Sequence, residues 1–280
     1  MHGMVAGNNG DVMSLEPLRS LVRNRTLIWQ LGKRDIAGRY RGSVFGMFWS
    51  LFNPLLMLAV YTLVFGVVLR VRWSSRMPDG GEVDFSVILF SGLIIHTLFS
   101  ECFTRAPTLV TSNPNFVKRI VFPLEVLPYI ALISALFHGA ISFLVLIAAH
   151  LVLAKTMAWT IILTPIVLLP LLPMILGLTW FLAALGVFLR DVGQITAVIS
   201  TVLLFVGPIF FPIDKLPAAF QSLVVFNPLS VIVIEFRKVA LYGVMPDWGA
   251  LALYTLVSLV VAQLGFLWFK HTRRGFADVL

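Results

Sequence analysis

The sequence predicts an all-α membrane protein. It has six transmembrane helices, an N-terminal amphipathic interfacial helix, and a short outer-leaflet re-entrant helical hairpin before the last span. Three observations predict this. Of 280 residues, 59% are hydrophobic and 12% charged, about half the roughly 25% charge of a soluble domain. Mean hydropathy is +0.95. The apolar residues also gather in runs long enough to cross a bilayer, which takes about 20 residues each. Lipid offers no hydrogen bonds to an open backbone, so each run is expected to be helical.

Taken in order, residues 1–14 are Gly/Asn-rich and lack the apolar core of a cleavable signal, so a flexible cytoplasmic N-terminus is expected. Residues 15–43 place Leu15, Leu18, Leu21 and Val22 on one helical face, opposite Arg19 and Arg23. That pattern predicts a helix lying at the membrane interface. Residues 44–280 form the transmembrane domain, with spans expected at about 44–69, 85–103, 126–153, 159–189, 192–211 and 251–269. The first run, Val44–Leu69, contains no charge, and the second none before Glu101. The third contains only His138 and His150 as ionisable groups. The fourth is broken by Pro165, Pro170 and Pro173 and is expected to kink. Residues 104–125 form an inner loop. Residues 212–246 are too apolar for a simple external loop, with short runs on either side of Asn227-Pro228. Two short helices dipping into the outer leaflet satisfy that pattern.

Orientation follows from the basic residues. With both termini in the cytoplasm, 14 of the 21 Lys and Arg fall on inner segments, as positively charged loops prefer. The same preference explains the net charge of +8 without nucleic acid.

The sequence excludes most self-contained chemistry. It contains no phosphate-binding loop of the G-x-x-x-x-G-K-[ST] kind, no H-E-x-x-H and no G-x-S-x-G. Cys102 is the single cysteine, which excludes an intrachain disulfide and a Cys-based zinc site. The spans lack paired carboxylates, Glu101 standing alone near an inner end. His96, His138 and His150 read best as packing residues. Asp79, Glu82 and Asp84 sit with Gly80-Gly81 in a turn-rich, solvated loop. No catalytic residue, metal site or bound cofactor is expected. Energy must therefore come from elsewhere, and a separate ATPase subunit is the natural source.

Several segments carry a family resemblance. Trp29-Gln30-Leu31, then Arg34 through Gly46, Trp49 and Asn53-Pro54-Leu55, looks like the opening of the type-2 ABC export permeases. More narrowly, it is similar to the Wzm/KpsM/TagG branch. Asn115 through Pro123 with Glu125-Val126-Leu127-Pro128 resembles the segment between that branch's second and third spans. Pro208 to Pro212, Asn227-Pro228-Leu229 and Glu235-Phe236-Arg237 resemble its outer-leaflet hairpin. The resemblance runs from about Leu27 to the C-terminus. It implies a bacterial inner-membrane homodimer with two copies of a cytoplasmic ABC ATPase, which binds ATP and Mg2+. The implied substrate is a polyprenyl-pyrophosphate-linked polysaccharide.

The resemblance also implies roles for residues. Asn113, Asn115, Phe116, Lys118, Arg119 and Ile120 are the candidate ATPase-coupling segment, against a bland reading as a loop of topogenic charges. Arg34, Arg39 and Arg41 are either membrane anchors or a site for lipid pyrophosphate, whose oxygens match guanidinium forks. Phe45, Phe48, Trp49 and Phe52 follow i, i+3, i+4, i+7 as one aromatic stripe. With Tyr61, and with Phe205, Phe210 and Phe211, they are candidate channel lining, because sugar rings offer C–H faces to aromatic surfaces. The alternative is packing against lipid or neighbouring helices. Pro212, Asn227, Pro228, Glu235 and Arg237 are candidates for an outer gate. A type-2 permease for a lipid or drug, and an integral membrane enzyme of envelope metabolism, remain the competing functions.

Overall fold

The computed structural model describes residues 16–70, 83–117, 122–154, 157–211, 217, 221, 223–224 and 226–279. The expected flexible N-terminus, 1–14, and the loop acids Asp79 and Glu82 lie outside them. Regular structure among the described residues is entirely helical. The chain begins with α1 (Glu16–Arg23) and α2 (Arg25–Arg39). Glu16 in the first turn and Arg23 in the last both suit the helix dipole of α1. The single helix expected over 15–43 is thus two, divided at Asn24, whose amide donates to the Ser20 carbonyl at 3.0 Å. Nor does α2 only lie on a surface. It buries Ile28, Gly32 and Ile36, one face at four-residue spacing, against α6. A Cβ on Gly32 would stand 2.9 Å from Ile133 Cγ2.

Gly42 and Gly46, both at positive φ, turn the chain into α3 (Phe48–Tyr61). A π-helical segment, Thr62–Val68, continues α3. It is not foreseeable from the sequence, since wide turns of this kind leave no periodic signal. Asp84 caps α4 (Phe85–Arg105) by accepting from the Ser86 N–H at 2.8 Å. Residues Ala106–Thr108 form a 3-10 turn, and α5 (Pro114–Val117) is a short helix beyond it. A second 3-10 turn, Leu124–Val126, leads into the long α6 (Leu127–Ala154).

The proline-rich run divides into a 3-10 segment (Trp159–Leu163), α7 (Thr164–Leu168) and α8 (Leu171–Phe188), the break falling at Pro170. Then follow α9 (Val192–Val206), α10 (Ser230–Ala240), α11 (Trp248–Thr272) and α12 (Phe276–Val279). The expected outer hairpin is represented among the described residues mainly by α10.

Among the described residues, five helical stretches are long and apolar enough to cross a bilayer. The segment expected as a span over 192–211 is helical for 15 residues only and stops at Gly207-Pro208. At 1.5 Å per residue that is about 23 Å, short of the roughly 30 Å of hydrocarbon.

The most deeply buried span is α4, with Ile88, Leu89, Ile95 and Cys102 fully enclosed. It packs on α6, α9, α8 and α10 and so forms the axis of the bundle. The tightest pair is α8 with α11. A Cβ on Gly265 would lie 2.0 Å from the Gly177 carbonyl oxygen, and one on Gly177 2.5 Å from that of Val261. Small residues let two backbones touch where lipid supplies no hydrophobic drive. By contrast, α3 and α9 present outward apolar faces: Leu51, Leu55, Leu56 and Val60 on one, and Ile195, Val198, Val202 and Phe205 on the other.

Candidate functional site

The two ends of α4 carry the polar chemistry. At its C-terminal end, charges spaced four apart on α4 (Glu101, Arg105) meet charges spaced four apart on α2 (Asp35, Arg39). Arg39 Nη2 stands 2.6 Å from Glu101 Oε1. Arg105 donates through both terminal nitrogens to the two Asp35 oxygens, Nη1 to Oδ2 at 2.7 Å. All four side chains are at most one-third exposed. Burial alone would raise the Asp35 carboxyl, but the doubly bonded Arg105 guanidinium outweighs it and holds the pKa below its ordinary value.

Glu101 has no second carboxylate beside it, but it is not without partners. His138 Nδ1 on α6 meets its second oxygen at 3.0 Å, and His138 Nε2 shares a 2.9 Å hydrogen bond with the Tyr40 hydroxyl. His96, the histidine nearer mid-span, bonds the Ser200 carbonyl on α9 at 3.0 Å, consistent with a packing role.

Two cavities flank this network. One, of about 430 Å³, lies between α2, the end of α4 and the start of α6; Arg34, Asp35, Arg39, Arg105, Asn113 and Phe116 line it. The structure thus gathers two of the candidate arginines with two of the candidate coupling residues. Asn113 donates to the Leu109 carbonyl at 2.9 Å, and Phe116 stacks on Phe122 with ring centres 4.2 Å apart. Asn115 is exposed, as is Arg41, which lines neither cavity. Lys118, Arg119 and Ile120 lie outside the described residues. The other cavity, of about 290 Å³, opens between α3, α4 and α6 and includes Arg39, Tyr40, Asn53, Thr97, Glu101 and His138.

The aromatic residues form two groups. Phe45, Phe48, Trp49 and Phe52 make a continuous chain of ring contacts, with Phe45–Trp49 and Trp49–Phe52 edge to face at 5.7 and 5.3 Å. Phe45 joins although it precedes the first turn of α3. Tyr61 and Phe210 belong to a separate cluster around Phe85, Leu89 and Ile209 near the start of α4. Phe205 stacks on Phe210 at 5.3 Å, and Phe211 is exposed beside it.

At the N-terminal end of α4, Arg237 from α10 is buried. Its Nε donates to Ser91 Oγ at 3.2 Å, and its terminal nitrogens donate to the carbonyls of Pro208, Ile88 (3.0 Å) and Ile209 (3.1 Å). One side chain thus ties α10 to α4 and to the chain leaving α9. Asn227 reinforces the tie: its amide donates to the Leu203 carbonyl at 2.8 Å, while its oxygen accepts from Leu229 N–H. The Pro228 carbonyl accepts from the Tyr254 hydroxyl on α11 at 2.7 Å. Buried Glu235 accepts from Lys238 at 2.7 Å and from the Asp247 N–H at 2.8 Å. Pro212 lies outside the described residues. Among the described residues, no group of His, Cys, Asp and Glu has the makings of a metal site.

Known proteins share this arrangement of sequence. The family model described as "ABC-2 type transporter" matches residues 26–241. The O-antigen export system permease protein RfbA of Myxococcus xanthus is 27% identical over 263 residues, covering 93% of this chain and 98% of that protein. A protein of the same name from Klebsiella pneumoniae is 24% identical over 270 residues, covering 96% and 100%. The polysialic acid transport protein KpsM of Escherichia coli is 23% identical over 241 residues, covering 81% and 87%.

Proposed function

This chain belongs to the ABC-2 type transporter family, and on that premise we propose that it is the membrane permease of an exporter for lipid-linked polysaccharide. Near-full-length similarity to permeases named for O-antigen export, and to one named for polysialic acid transport, carries the reading. In this account two copies of the chain pair in a bacterial inner membrane with two copies of a cytoplasmic ATPase. That partner binds ATP and Mg2+ and supplies the work; this chain makes no covalent change in its cargo. The outward apolar faces of α3 and α9 support the pairing, since a second copy would cover them. The short α9 then serves as the sixth span, its length completed by Gly207 to Phe211. Both termini face the cytoplasm, as the positive-inside bias favours.

The segment from Asn113 through Ile120 receives the motion of the ATPase. Arg105 lies a few residues before it and is bonded to Asp35, so a push on the loop is passed to α2. Arg34 and Arg41 meet the pyrophosphate of the lipid carrier; Arg39 is already held by Glu101 and contributes to position rather than to affinity. The Phe45–Phe52 stripe lines the entry to the path between the two copies. At the far end, α10 forms the outer gate, with Arg237 as its fixed point.

The test is to purify the chain with its ATPase and ask which lipid-linked molecule speeds hydrolysis. Stimulation by a polyprenyl-pyrophosphate glycan is expected. Stimulation by a simple phospholipid or a drug, with none from the glycan, overturns the reading.

A further inference from the structure

The cavity between α3, α4 and α6 is amphipathic in an unusual sense, because its charges are spent on one another. Arg39 is bound to Glu101, Glu101 also to His138, and His138 to Tyr40. A phosphate would need a free guanidinium, and a cationic amine would need a free carboxylate or an open aromatic cage. The unspent groups are uncharged. Asn53 on α3 and Thr97 on α4 both line the cavity, both are exposed, and the side chain of neither forms a hydrogen bond among the described residues. Their amide and hydroxyl offer donors and acceptors from facing walls. On helices this apolar, leaving such groups unmet in lipid costs free energy. The apolar remainder of the wall includes Pro54, Met57, Phe90 and Leu93, with the Tyr61 ring at the far end.

We infer that this cavity binds a neutral, hydroxyl-rich sugar ring, with Asn53 and Thr97 as its hydrogen-bond partners. A ring of this kind needs uncharged donors and acceptors on its rim and apolar or aromatic surface against its C–H face, and the cavity offers both. A volume of about 290 Å³ suits a ring held individually rather than a folded chain. The inference rests on the polysaccharide reading and gives that substrate a point of contact on its path, one helical turn from Trp49 on α3.

The chain and its ATPase, in lipid nanodiscs, are titrated with octyl glucoside below its micelle concentration. Octylphosphocholine, of equal tail length, serves as the charged control, and binding is read by saturation-transfer NMR. The parent should bind the glucoside, and Asn53→Leu with Thr97→Val should weaken it about tenfold, the worth of losing one or two hydrogen bonds. Asn53→Gln with Thr97→Ser should recover most of the affinity, which a merely unfolded variant pair would not reveal. Equal binding by parent and Leu/Val variant overturns the inference. So does an absence of glucoside binding by the parent, or a phosphocholine affinity that falls in step with the glucoside's. Stimulation of ATP hydrolysis by the whole lipid-linked glycan, measured on the same samples, is independent of these outcomes, so loss of the cavity site and loss of the export reading are told apart.

Discussion

Arg39 and Glu101 meet at 2.6 Å across the boundary of α2 and α4, and one helical turn away Asp35 closes on Arg105. The charges run in opposite order along the two helices. A slip of one turn would oppose Asp35 to Glu101 or Arg39 to Arg105, so the ladder admits one register. Asp35→Arg should therefore lower the melting midpoint of the detergent-solubilised protein, and adding Arg105→Asp should recover most of it. A coupling of about 1–2 kcal/mol is expected for a pair this partially shielded. Additive single effects would show that the ladder does not hold the helices.

The same pair sets an acid limit. The Asp35 carboxyl titrates below its ordinary 3.8 in the folded protein. Its stabilisation is complete above the unfolded value and is lost as pH falls through the lower, folded one. As pH falls below about 4 the parent should lose more thermal stability than Asp35→Asn, which has no proton to gain. Parallel losses in the two proteins would contradict the assignment.

Close contact of α8 and α11 makes Gly265 intolerant. Gly265→Ala places a methyl 2.0 Å from a carbonyl oxygen that belongs to the backbone. The helices must part, at a cost of about 3 kcal/mol, visible as a lower melting midpoint and poorer yield. Gly193 on α9 is the control, because a methyl there would meet nothing within 4 Å; Gly193→Ala should be neutral or stabilising by up to about 1 kcal/mol.

Arg237 supports the far end of α4. Arg237→Met strands the carbonyls of Pro208 and Ile209, while that of Ile88 keeps its bond from the Ser91 hydroxyl, and should destabilise the protein by about 3 kcal/mol or more. Arg237→Lys keeps the charge, but its single nitrogen cannot reach Ser91 and all three carbonyls together, so recovery should be partial. Full thermal stability of Arg237→Met would remove Arg237 as the fixed point of α10.

Much of this is legible in the sequence, for identifiable reasons. Runs such as Val126–Leu153 announce a membrane helix through hydropathy alone, and Pro170 announces the break before α8. The length of α9 is harder to read, because apolar residues continue past Val206 although Gly207-Pro208 ends the helix. Glu101 looks solitary in sequence because its partners, Arg39 and His138, come from distant parts of the chain. A local clue exists: opposite charges four apart in both Asp35/Arg39 and Glu101/Arg105, which place matched pairs on single helix faces. Periodicity reports which face is apolar; it does not report which other helix that face meets. Arg237 stands out through the family resemblance, yet its bonds depend on the fold bringing Ser91 and Pro208 to it.

The central claim is that this chain carries no motor of its own. The most direct measurement reconstitutes it in vesicles, with and without its ATPase, and follows transfer of a fluorescent lipid-linked glycan across the bilayer. Transfer is expected only with the ATPase, Mg2+ and ATP all present. Transfer by this chain alone, driven by an ion gradient, would contradict the account.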